Sequence, residues 1–147
     1  MESLLGEVLE CKVSSSISKE FSKDKMLQSD LESCWQSKQG RPQSVTLELT
    51  EPRLVEQLHL QFQGGFAAKE IQVHLQREIE EKQKLQHVDT LYPEDNNEMQ
   101  KFELSQADAF ASKRLKLIFP DSTDLFGRVI IYRIDIIGTK SVSNNVK

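Results

Sequence analysis

An all-β fold, a jelly-roll β-sandwich of antiparallel strands, is the class this sequence predicts, and three observations predict it. Apolar and polar residues alternate through short runs of strand length, turn-forming residues separate those runs, and no strand, long helix, strand succession is present to build a parallel sheet. The chain has 147 residues, enough for one self-sufficient domain that buries roughly two thirds of its unfolded surface. Its residues are 37% hydrophobic and 29% charged, polar for a globular protein but sufficient for a core, which argues against wholesale disorder.

Residues 1–10 read as an N-terminal lead-in, 11–139 as the sandwich domain and 140–147 as a flexible C-terminal tail, because Ser141 to Lys147 carries no apolar pattern. Val45, Leu47 and Leu49 alternate with polar neighbours and give a half-buried strand. Leu58, Leu60 and Phe62 give the next, which Gly64 and Gly65 end by freeing the backbone to turn. Between Ala67 and Val88 two readings compete. Ile71, Val73 and Leu75 alternate as in a strand, with the Glu80 to Lys84 cluster capping an exposed hairpin; Ile71, Leu75 and Ile79 also recur at helical spacing, so a surface helix is the alternative. Leu115, Leu117 and Phe119 form a further strand stopped by Pro120, and Arg128 to Ile137 is apolar on both parities, as in a strand covered on both faces. Eight strands are predicted around a core of Val45, Leu47, Leu58, Leu60, Phe62, Leu115, Leu117, Ile130, Tyr132, Ile134 and Ile136. Trp35, the only tryptophan, should seal one end with its indole N–H paired.

Composition excludes several function classes. Nineteen Lys and Arg against 23 Asp and Glu leave a net charge of −4 with no basic arm, so direct nucleic-acid binding is not expected. Acids stand among the first residues where a secretory signal needs bases, and no run approaches the ~18 continuous apolar residues of a membrane span, so neither export nor a membrane setting is expected. Cys11 and Cys34 form neither a CxxC pair nor a disulfide framework, and no Asn-x-Ser/Thr acceptor occurs. A reducing setting, nucleus and cytoplasm, is the expectation.

The residues that carry chemistry elsewhere are present without the spacings that chemistry needs. His59, His74 and His87 belong to no HxxxH, HExxH or Cys/His cluster and read as surface histidines. GxSxG is missing, and Gly64-Gly65 is not continued into a phosphate-binding loop. Asp121 to Asp124 reads as a solvated turn capped by its own Asp and Ser side chains, since calcium needs six to eight oxygens from several loops. Lys113, Arg114 and Lys116 sit at a strand entrance, where they face solvent and block edge pairing. No catalytic residue, metal site or cofactor is predicted.

Around Trp35 the pattern is more specific: a polar turn, Ser33-Cys34-Trp35-Gln36-Ser37, then Gln43-Ser44-Val45 opening a strand. It resembles the discoidin-like, coagulation-factor C-type domains, which implies a galactose-binding-like jelly roll. Three further strings, Gln61 to Phe66, Tyr92 to Asn97 and Phe126 to Tyr132, together resemble a family of small nuclear-receptor-associated proteins, partners of a testicular orphan receptor. That resemblance spans about Cys11 to Gly138 and implies an intracellular, non-enzymatic protein that binds a nuclear receptor and represses its transcriptional activity. Metal-binding relatives hold calcium through acids in the turn before the tryptophan and a glutamate in the last strand. Here Gln28, Ser29 and Asp30 occupy that turn and Arg133 stands near the glutamate's place, which opposes a cation. The segment Asp30 to Val45 also resembles the Doc domain of the anaphase-promoting complex, so a substrate-recognition subunit of a ubiquitin ligase is one alternative and a carbohydrate-binding module another, although a glycan ligand is not expected.

In this fold the ligand-meeting loops lie at one end of the sandwich, here Gln36–Gln43, Gln63–Lys69 and Pro120–Gly127. Their rim offers Arg41, Phe66, Phe126 and Arg128, the aromatic and guanidinium mixture of protein hot spots, with Trp35, Gly64 and Gly65 as structural supports. Each has an ordinary reading too: the two Phe rings packing inward, and Arg128 pairing with Asp121 or Asp124. A monomer with a protein partner is expected.

Overall fold

The computed structural model describes residues 1–28, 32–106 and 109–139. Among them nine strands pair, all antiparallel: β1 (Glu2–Ser3), β2 (Val8–Val13), β3 (Trp35–Gln36), β4 (Gln43–Phe62), β5 (Ile71–Ile79), β6 (Lys82–Leu91), β7 (Met99–Glu103), β8 (Ser112–Phe119) and β9 (Ile130–Thr139). The expected fold class is the observed one, with nine strands in place of eight.

The two central alternating runs are one strand. β4 extends for 20 residues and belongs to both layers of the sandwich. From Gln43 to Leu49 it lies between β2 and β8, and from Leu54 to Phe62 it pairs with β9 and, along Gln57 to Gln61, with β7. Its register shifts between Glu48 and Arg53, around Pro52, whose missing N–H is tolerated where pairing lapses. One layer therefore runs β2, β4, β8, β5, β6, and the other β1, β9, β4, β7, with β3 also on β9. Phe62 of one layer meets Phe119 of the other edge to face, with ring centroids 6.3 Å apart.

Residues 1–10 do more than lead in. Glu2 and Ser3 pair with Gly138 and Ile137, Leu4 is fully buried, and Val8, Glu10 and Cys11 pair along β4. The tail 140–147 lies outside the described residues.

Between Ala67 and Val88 the hairpin forms. Ile71, Val73 and Leu75 point into the core at period two, and Glu80 and Glu81 supply the two left-handed positions of a two-residue turn, at φ 55° and 67°. The helix alternative fails because β5 must pair on both sides, with β6 and with β8. β8 is itself flanked by β4 and β5, so Lys113, Arg114 and Lys116 do not guard an edge; Arg114 pairs with Glu48 at 3.1 Å.

Ten of the eleven expected core residues are buried; Tyr132 is the exception, half-buried with its hydroxyl on Gln63 Oε1 at 3.1 Å. The cause is a bulge. Gln61 faces Arg133 but Phe62 faces Ile131, so Tyr132 is the extra residue and the inward parity switches from Ile134 and Ile136 to Ile131. Coverage of both faces is confined to the start of the strand, where Ile130 and Ile131 are both buried; from Ile134 onward buried and half-buried residues alternate. Trp35 pairs with Ile131, is fully buried, and donates its indole N–H to the Ser15 carbonyl at 3.0 Å.

Candidate functional site

The three predicted loops converge, and backbone hydrogen bonds lace them together. Gly40 N–H donates to Phe126 O at 2.8 Å, Lys69 N–H to Asp121 O at 3.2 Å, and Thr123 N–H to Ala67 O at 2.8 Å. A fourth loop joins them: Asn97 Oδ1 accepts Gly64 N–H at 2.7 Å and Asp95 Oδ1 accepts Gly65 N–H at 2.8 Å. The turn from Gln63 to Phe66 closes by a 2.9 Å backbone bond and needs φ +90° at its third residue, Gly65. Gly127, at φ +83°, lets the Pro120 loop approach so near that an added Cβ would lie 2.6 Å from Gly40 O.

Both guanidinium groups are spent on holding this rim together. Arg41 Nε donates to Asp121 Oδ1 at 2.6 Å, and its Nη2 to the Leu125 carbonyl at 2.9 Å. Arg128 forks onto Asp124, Nε to Oδ2 at 3.0 Å and Nη2 to Oδ1 at 3.2 Å. The Arg41 hydrogen bond holds the Asp121 carboxyl below the usual carboxylate range, and the Arg128 hydrogen bond does the same for Asp124 and in turn raises the Arg128 guanidinium. Asp124 Oδ2 also accepts the Phe126 and Arg128 backbone N–H groups, and Asp121 Oδ1 that of Ser122, so this turn is capped by its own side chains as its composition implied.

The expected quartet thus divides. Phe66 is half-buried beneath Arg128, whose guanidinium carbon lies 5.0 Å from the ring centroid. Arg41, exposed at the surface, and Arg128, half-buried, brace the loops of the rim. Phe126 is 52% exposed, and its neighbour Leu125, which no strand alternation singles out, is 78% exposed. Tyr92, 70% exposed, starts the loop that carries Asp95 and Asn97. An apolar Leu-Phe pair inside an otherwise polar turn was the sequence signal for Leu125. Of the turn compared with calcium sites, Ser29 and Asp30 lie outside the described residues, while Arg133 is half-buried on β9 opposite Gln61.

The two-layer antiparallel sandwich with its loops gathered at one end has the galactose-binding-like fold, as its likeness to solved structures shows. The chain superposes on a family 32 carbohydrate-binding module from C. perfringens NanJ in complex with galactose at TM-score 0.74, 13% identical, covering 92% of this chain and 97% of that one. It is similar too to chitosan-binding module 1 of a chitosanase/glucanase from Paenibacillus sp. IK-5, at TM-score 0.73 and 15% identity over 91% of this chain and 98% of that one. Those likenesses concern fold alone. In sequence the chain belongs to the nuclear receptor 2C2-associated protein family: it is 40% identical to the Danio rerio member over 144 residues, 96% of this chain and 99% of that protein. The Homo sapiens member is 40% identical over 122 residues, 83% of this chain and 84% of its own length. No protein-family model matches the sequence.

Proposed function

We infer that this chain is a non-enzymatic interaction module that binds a nuclear receptor through its loop rim and represses the receptor's transcriptional activity, in the nucleus and cytoplasm. The association is that named for its relatives. The observation that carries the rim as the binding surface is the pair Leu125 and Phe126, 78% and 52% exposed on a loop clamped by Arg41 and by the Arg128–Asp124 fork. Apolar side chains held on a rigid loop lose little entropy when covered, which is what an interface anchor requires.

A carbohydrate site draws on the fold but fits the rim less well. Sugar recognition needs convergent polar groups with hydrogen-bonding capacity to spare, whereas Arg41, Asp121, Asp124 and Arg128 hydrogen-bond one another and the loop backbone. Two free, buried cysteines, Cys11 and Cys34, suit a reducing setting, and burial pushes the Cys11 thiol up to about 11, leaving it unreactive.

Titration calorimetry with purified nuclear receptor 2C2 tests the reading. Phe126→Ala is expected to weaken binding by more than about 1 kcal/mol without changing the melting temperature. Unchanged affinity in the double variant Leu125→Ala/Phe126→Ala would move the interface away from the rim, and glycan-array binding without receptor binding would favour the carbohydrate reading. A receptor-driven reporter assay tests repression separately.

A further inference from the structure

We propose that His74, lodged between His87 and Lys116, makes the β5–β6 hairpin an acid-opened flap: a proton gained by this ring loosens the seam that joins the hairpin to β8. The seam is short. β5 pairs with β6 along its whole length, Ile71 to Ile79, but with β8 only from Gln72 to Leu75. His74 stands inside that stretch, facing Lys116 on β8 and His87 on β6. A bulge makes the second contact possible. Val73 faces Asp89 but His74 faces His87, so Val88 is the unpaired extra residue.

The ring sits where a neutral imidazole is tolerated and an imidazolium is not. His74 Nε2 is the only buried side-chain nitrogen or oxygen among the described residues with no hydrogen-bond partner. Protonation would put a charged N–H there, out of reach of water and with no acceptor, which costs far more than leaving a neutral atom unpaired. The groups that face the ring are basic: the His87 ring centroid lies 5.4 Å away, and Lys116 stands across the seam. Beyond Lys116 come Thr46 on β4 and Lys12 on β2. The carboxylates around them are engaged elsewhere. Glu48 pairs with Arg114 at 3.1 Å, Glu10 stands 4.0 Å from Lys12, and Asp89, opposite Val73, accepts the Thr90 and Ser105 N–H groups. Glu70 and Glu78, four residues to either side of His74, accept the Gln72 and Gln83 amides.

Burial first, then His87 and Lys116, lower the His74 pKa in the closed hairpin. Opening the seam hydrates the ring and returns it to the ordinary histidine value of 6.5, so the open form binds the proton more tightly than the closed one. The closed form is therefore favoured in full above that value. Its advantage is lost as pH falls from 6.5 through the lower closed-state value. Val73 and Leu75, buried on the other face of the same stretch, hold the seam shut at neutral pH. A short seam at the side of the layer is where local opening costs least, so the proton acts there before it acts on the whole fold.

The test is amide hydrogen exchange and NMR of the histidine rings in the tag-free full-length chain, between about pH 7.5 and about pH 5.5, with protection factors that remove the intrinsic pH dependence of exchange. Hairpin amides in the parent should lose protection by up to about tenfold over that range, the limit for a ring that charges only when the seam is open. His74→Gln should keep its protection, and His59→Gln should lose it as the parent does. The His74 ring should titrate below 6.5, and Lys116→Gln, which removes the facing charge, should move that midpoint upward. Equal hairpin protection at both ends of the range would overturn the proposal. So would the same loss in His74→Gln, or a His74 midpoint at or above 6.5. The ring titration of the unaltered protein decides the matter even if a variant fails to fold.

Discussion

Replacing Trp35 with alanine is the perturbation whose size the structure fixes best. The indole is fully buried, stands opposite Ile131 on β9, and its N–H donates at 3.0 Å to the Ser15 carbonyl, tying the segment before β3 to the core. Trp→Ala in a packed core costs about 3–5 kcal/mol, and the exposed Ser15 carbonyl adds to it only as far as water fails to reach it. Domains of this size are stable by about 5–15 kcal/mol, so roughly a fifth or more of the total is at stake. In urea, with a slope of about 2 kcal/mol/M, the midpoint should fall by roughly 2 M, and on heating the melting temperature should fall by roughly 10 °C. Reversible urea denaturation followed by far-ultraviolet circular dichroism measures it. A loss below about 1 kcal/mol would refute the reasoning, because it would place the ring where solvent or a partner covers it.

Two further outcomes concern the rim. Gly127→Ala combines a left-handed backbone with a Cβ 2.6 Å from Gly40 O, so it should cost about 1–3 kcal/mol and speed hydrogen exchange at the Gly40 amide; unchanged exchange would contradict the clamping of these loops. Asp121 and Asp124 have carboxyls depressed in the folded state, so their contribution is present above the ordinary Asp range near 4 and is lost as pH falls through the lower folded values. Stability measured between pH 5 and pH 2 should therefore drop less steeply in Asp124→Asn than in the parent.

How much the sequence discloses depends on how strongly a strand's alternation expresses burial. Val45 to Leu49, Leu58 to Phe62 and Leu115 to Phe119 alternate because one face of each is sealed in the core, and all three are legible. β2 and β7 are not, since β2 buries only Cys11 and the residues of β7 are at most half-buried, so packing leaves little pattern to read. Bulges are the other source of error. Tyr132 and Val88 each add one residue to their strand, and each reverses the facing of the residues beyond it, which moves Tyr132 out of the core and brings His87 to His74. At the rim, loop positions were legible from Gly64-Gly65 and the polar turns, whereas the division of labour was not. Arg128 pairs with Asp124, four residues back in its own loop, one of the two partners its sequence neighbourhood offered, whereas the pairing of Arg41 with Asp121 is decided by loop convergence, which no local spacing encodes.

The most direct test of the rim as the receptor-binding surface is hydrogen–deuterium exchange of the full chain with and without purified nuclear receptor 2C2. The account predicts slowed exchange in residues 120–127 and in the loops 36–43 and 63–69 laced to them, with the outer faces of both layers unchanged. Protection confined to the β6 edge or to a sheet face, with the rim exchanging as it does alone, would contradict it.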